Sequence, residues 1–159
     1  MKQDDIQTII DIQEKDMQMI RLQMIKQQHI KDIQGVNSKL KNQRSIYEHL
    51  RSDLEALEKD QAQLENKKND MEEKIDTVKK KLKGVKKVEE FNALSSEANY
   101  HAREKSRIVE KIGTIIDLIQ EKKNDVTIAE NTVNMTIDSL EKAFSETREI
   151  ISEINKEGQ

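Results

Sequence analysis

The side chains able to do chemistry in this chain crowd into one place. Lys79, Lys80, Lys81, Lys83, Lys86 and Lys87 put six lysines into nine positions near the middle, and Glu89, Glu90, Phe91 and Asn92 follow directly. Three uses fit that composition. Ammonium groups at this density can hold the phosphates of a nucleic acid. Phe91 can anchor a protein partner, with the charges as its rim. Or the lysines solvate a turn and do nothing more. Against nucleic acid, no aromatic residues are interleaved with the lysines to stack on bases.

Elsewhere the residue types argue against catalysis. His29, His49 and His101 share no metal-ligand spacing, and no HExxH is present. There is no GxGxxG, no GxxxxGK[ST], and no Ser-His-Asp or Cys-His arrangement. The chain has no cysteine, hence no disulfide, thiol nucleophile or thiolate metal site. Aromatic residues make up 3% and tryptophan is absent, which speaks against a deep small-molecule pocket. The formal charge of −3 gives no general drive toward nucleic acid. No apolar run approaches the ~20 residues of a membrane span, and Met1-Lys2-Gln3-Asp4-Asp5 does not open a secretory leader. A non-enzymatic, soluble, cytoplasmic protein is the expectation.

The elements that carry the lysine cluster are legible in the apolar spacing. Hydrophobic residues are 34% and charged residues 37%, against roughly 45–50% and about 25% for an ordinary globular domain. High charge with strict periodicity is the composition of a coiled coil. The first series is Ile33, Val36, Leu40, Gln43, Tyr47, Leu50, Leu54, Leu57, Gln61, Leu64, Lys68, Met71, Ile75, Val78, Leu82 and Val85, with steps of three and four throughout. The second, equally regular, is Phe91, Leu94, Ala98, His101, Lys105, Ile108, Ile112, Ile115, Ile119, Lys122, Val126, Ala129, Val133, Thr136, Leu140, Ala143, Thr147, Ile150 and Ile154. A repeat of ~3.5 against the helix's ~3.6 predicts left-handed supercoiling. The polar members Gln43, Gln61 and Lys68 are read as tuning register.

Between the two series lies Gly84. Glycine reaches positive φ cheaply, so Gly84 is expected to end one helix and let the chain reverse. The fold class that follows is all-α: a long antiparallel two-helix coiled-coil hairpin. An outgoing helix takes residues 1–83, a tip takes 84–89, and a returning helix takes 90–157. Folding the halves about the tip places Leu82 opposite Phe91, Ile75 opposite Ala98, Leu54 opposite Ile119, Ile33 opposite Leu140 and Met19 opposite Ile154. It also sets Met71 against His101 and Lys68 against Lys105. Two facing lysines repel, and Glu65 and Glu72, three before and four after Lys68, are placed to offset this.

Some apolar residues exceed what one seam uses. Ile6, Ile10, Met17, Ile20 and Met24, with Ile9, Ile12, Met19, Leu22 and Ile25, cover a wide face at the start of the chain. Val109, Ile116, Ile137, Phe144 and Ile151, spaced by multiples of seven, form a second stripe on the returning helix. The register leaves residues before about Glu14 without a counterpart. Ile6, Ile9, Ile10 and Met17 together with the second stripe are therefore expected to meet a partner, either a second copy in a homodimer or further chain beyond Gln159. Gly35 and Gly113 fall at outward positions, where each permits bending or close approach of a partner.

The tip also carries a resemblance. Val85-Lys86-Lys87-Val88-Glu89-Glu90-Phe91-Asn92-Ala93-Leu94 resembles the hairpin-tip signature of a family of bacterial proteins with a long N-terminal coiled coil and a C-terminal four-cysteine zinc ribbon, chlamydial members in particular. Its core, K-E-[YF]-x-A-L, maps onto Val88, Glu89 or Glu90, Phe91, Asn92, Ala93 and Leu94, with Val88 departing from the lysine. The opening Ile9-Ile10-Asp11-Ile12-Gln13-Glu14-Lys15-Asp16 is similar to the family's L-x-x-I-Q-E-L-D start. The resemblance implies an adaptor. Its expected partners are the sigma-54 factor of RNA polymerase and components of flagellar or type III secretion systems. It also implies that zinc, and the ribbon that binds it, lie beyond Gln159, with no cofactor in these residues. The candidate partner-binding residues at the tip are Lys83, Lys86, Lys87, Glu89, Glu90, Phe91 and Asn92. The alternatives are a nucleic-acid-binding hairpin using the lysines, a polymerase-channel hairpin presenting Glu89 and Glu90, and a structural spacer.

Overall fold

The computed structural model describes residues 2–157 of the 159. It is an all-α helical hairpin of two long helices, α1 (Lys2–Leu82) and α2 (Val88–Glu157), with no strand among the described residues. No proline interrupts either helix. Threonines within the helices return their hydroxyls to the carbonyl four residues back, as Thr77 does to Glu73 at 2.9 Å and Thr147 to Ala143 at 2.9 Å. No helix among the described residues is long and apolar enough to cross a membrane.

The chain divides into two compact units. A turn unit spans Glu48–Ile128, and a terminal unit combines Met1–Tyr47 with Ala129–Gln159. In the turn unit every member of the two periodic series is buried or half-buried except Phe91. Val78, Ile108, Ile112 and Ile119 are the most enclosed. No described side chain falls below 2% exposure, which follows from a core only one helix thick on each side.

Two ion pairs cross the seam. Lys105 reaches Glu72 at 3.3 Å, and Lys122 reaches Asp53 at 3.7 Å. Lys68 turns to Glu65 on its own helix at 3.6 Å. The two seam lysines are thus each neutralised by one of the two glutamates that flank Lys68. Their stems stay in the seam, with side chains 30% and 36% exposed, while the ammonium groups lean out. His101 sits in the same stretch, 13% exposed, with Nε2 3.5 Å from Glu97 and its buried Nδ1 without a hydrogen bond.

In the terminal unit the seam is built from Ile33, Leu40, Val133, Thr136 and Thr147, all buried. Gln43 occupies a seam position here with a buried, unbonded Oε1. Such a group costs about 1–3 kcal/mol, which fits a position that selects register rather than strength. The first half-buried residue of α1 is Met19, and everything from Lys2 to Gln18 is exposed. The segment without a counterpart is therefore a few residues longer than the register placed it.

Three details of the turn correct the sequence reading. First, α1 ends at Leu82 and α2 begins at Val88, so the connection is Lys83–Lys87 rather than 84–89. The early start of α2 has a cause. The Lys87 carbonyl accepts from the Phe91 N–H at 3.0 Å, and Glu89 and Glu90 lie in the first turn, where the helix dipole favours carboxylates. Second, Gly84 has no positive φ. Its N–H donates to the Lys81 carbonyl at 3.1 Å and the Val85 N–H to the Leu82 carbonyl at 3.4 Å. These i to i+3 bonds tighten the end of α1 without a left-handed residue. Third, Phe91, set opposite Leu82 by the register, is not enclosed in the seam. It is 50% exposed, and the half-buried residues at this end are Leu82, Val85 and Leu94.

Candidate functional site

The turn is where the chemistry-bearing residues of the turn unit converge. Lys79, Lys80 and Lys81 form the last turn of α1, where cations complement the exposed carbonyls. Lys83, Lys86 and Lys87 lie in the connection, and all six lysines are exposed. None of them makes an ion pair among the described residues, and neither does Glu89 or Glu90. The charges of the turn are therefore not spent on each other and stay free to meet another molecule.

The apolar half of the site is sharper than the sequence implied. Val88 is 73% exposed and Phe91 is 50% exposed. They stand three residues apart in the first turn of α2, hence on one side of it. The pair forms a small apolar patch ringed by Lys86, Lys87, Glu89, Glu90 and Asn92, all exposed. Val88 is in the tip motif but not among the candidate partner-binding residues, and it falls in neither periodic series. The signal that identifies it is that absence: an apolar residue outside the seam period, one turn before an aromatic. Lys83, Lys86, Lys87, Glu89, Glu90, Phe91 and Asn92 are thus brought together at one end of the turn unit.

The other expected surfaces are apolar and open. In the turn unit, Val109 and Ile116 are each 47% exposed. In the terminal unit, Phe144 and Ile151 of α2 are exposed and Ile137 is half-buried. On α1 of that unit, Ile6, Ile9, Ile10 and Met17 are all exposed, between 40% and 57%.

Two grooves of the turn unit are bordered by polar side chains. One runs along Asp70, Glu73, Lys74, Thr77, Glu97 and His101 beside Val78, and another along Ser96, Asn99, Arg103 and Ser106. His49 is exposed, His101 lies in the seam of the same unit, and His29 is half-buried in the terminal unit. Among the described residues no group of three or more His, Cys, Asp or Glu is placed to hold a metal ion.

No family model matches the chain, and no curated protein matches it. Among solved structures, the chain is similar to the 2.12 Å resolution structure of CT398 from Chlamydia trachomatis, with a TM-score of 0.70 at 22% identity. The match covers 98% of this chain and 70% of that one. At this identity the likeness concerns the fold: a helical hairpin of the same kind.

Proposed function

We propose that this chain is a non-enzymatic coiled-coil scaffold that docks a protein partner on its turn. The observation that carries the reading is the Val88–Phe91 patch, solvent-exposed and surrounded by charges with no ion partner of their own. An apolar anchor of one or two side chains inside a polar rim is how protein contacts concentrate their binding energy. A two-helix seam also holds that patch on a stiff support, so little conformational freedom is lost on binding. The resemblance of the tip residues Val85 to Leu94 directs the search for the partner to a sigma-54 factor and to components of a type III secretion apparatus.

The test is capture of purified candidates of those two kinds by the intact chain, compared with Phe91→Ala and with Val88→Ala. Loss of a central anchor should weaken binding by about thirtyfold, equivalent to about 2 kcal/mol. A Glu89→Ala/Glu90→Ala variant should do less, mainly through the association rate. Undiminished capture by Phe91→Ala would remove the turn from the proposal.

The six exposed, unpaired lysines favour one second reading, phosphate contact with a nucleic acid. It makes a distinct forecast. Affinity for single-stranded RNA or DNA would fall with salt at a logarithmic slope of about −0.7 per lysine engaged, and Phe91→Ala would leave that slope unchanged.

A further inference from the structure

We infer that the N-terminal third of α1 in the terminal unit is a self-docking surface, seating the same segment of a second copy in antiparallel orientation. Three observations lead there. The first is a stripe of Ile6, Ile10, Met17, Ile20 and Met24, 40–66% exposed, with gaps of four, seven, three and four. That spacing is a coiled-coil seam in its own right. The second is its direction. At ~100° per residue the stripe lies across the helix from Met19, Leu22, Ile33 and Leu40, which face α2. The helix therefore has two apolar sides, and the hairpin uses one.

The third observation identifies the occupant. Residues 2–16 hold five carboxylates against two lysines, a net charge of −3. Residues 17–31 hold Arg21, Lys26 and Lys31 and no carboxylate, a net charge of +3. A surface with opposite charge at its two ends is complementary to itself turned end for end, which is what a twofold axis requires. A parallel pair would set negative on negative and positive on positive.

The register follows from the spacing. With seam positions of one kind facing the other kind, Ile6 meets the second copy's Met24, Ile10 its Ile20 and Gln13 its Met17, and each contact occurs twice. On the flanks, Glu14 and Asp16 of each copy then lie beside their own counterparts in the other. Neither residue has an ion pair among the described residues, and both are exposed. The arrangement therefore carries two like-charge contacts, Asp16 and Glu14, each against its own copy near the axis.

Those contacts make the orientation testable. Sedimentation equilibrium of the full chain should give twice the 18.5 kDa of one copy. Asp16→Asn should tighten the dimer several-fold, because it removes one repulsion at the axis. Glu14→Gln should likewise tighten it, and Glu14→Gln/Asp16→Asn should do so more than either change alone. All these positions are exposed on a formed helix, and circular dichroism confirms that each variant keeps its helix. A monomer at about 100 μM overturns the proposal, since a seam of five apolar residues per copy would then have no self-affinity. A dimer indifferent to these changes uses another surface and also overturns it. A dimer that Asp16→Asn weakens is parallel, because only there does Asp16 face Arg21 of the other copy. That result would overturn the orientation assigned here.

Discussion

Ile112 and Ile116 are the same side chain one helical turn apart in the turn unit, yet they serve different ends. Ile112 is 6% exposed in the seam, and Ile116 is 47% exposed beside it. Deleting the buried side chain leaves a void as well as losing transfer energy, so Ile112→Ala should cost about 2–4 kcal/mol. Ile116→Ala should stay within about 0.5 kcal/mol. Urea unfolding followed by circular dichroism measures both, and similar costs would show that α2 is packed on both sides. The lysines of the seam belong to this scale too. Lys68 and Lys105 look like defects by position, but each has a glutamate and an ammonium group that reaches water. Partly exposed ion pairs of this kind contribute about 0–1 kcal/mol, so they offset the repulsion between the two lysines and add little stability.

At the scale of the element, both helices are long because nothing in their interiors stops them. The two interior glycines bear this out. Gly35 in α1 and Gly113 in α2 are exposed, and a Cβ built at either meets nothing within 4 Å. Within this chain they make no close approach. Each should therefore be improved by alanine, through helix propensity alone, by about 0.5–1 kcal/mol. A rise in melting temperature for Gly35→Ala and Gly113→Ala checks this, and a fall would reveal a contact made only in an assembly. Gly84 is a different case within the connection. An added Cβ would lie 3.9 Å from the Lys81 carbonyl, an ordinary contact, and φ is not positive. Gly84→Ala should therefore be tolerated, with a change below about 0.5 kcal/mol.

For the whole molecule the governing fact is that one polypeptide doubles back and closes a seam on itself. Lys122 beside Asp53 and Lys105 beside Glu72 are the cross-helix contacts that record it in the turn unit. The chain contains no cysteine, so introduced thiols report without background. Leu54→Cys/Ile119→Cys should give an intramolecular cross-link with a short dithiol reagent, at high dilution and with the mass of a single chain. A cross-linked dimer in place of the monomer would mean that the two helices pair between molecules.

Much of this was legible in the residues themselves. Steps of three and four, unbroken over both halves, demand a helical seam, and a seam needs only period and polarity to be recognised. Two strands of one period flanking a polar, glycine-containing stretch also imply the reversal. The tertiary structure decided what period cannot carry. It left Phe91 50% exposed, because its seam position falls in the first turn of α2, at the end of the seam, with exposed Val88 beside it. It ended α1 through i to i+3 bonds instead of a left-handed glycine, because backbone bonding at Lys81 and Leu82 closes the helix without one. And it showed which of the two apolar sides of α1 the hairpin covers, because burial depends on where the second helix lies, and a sequence with two apolar faces does not state which one meets it.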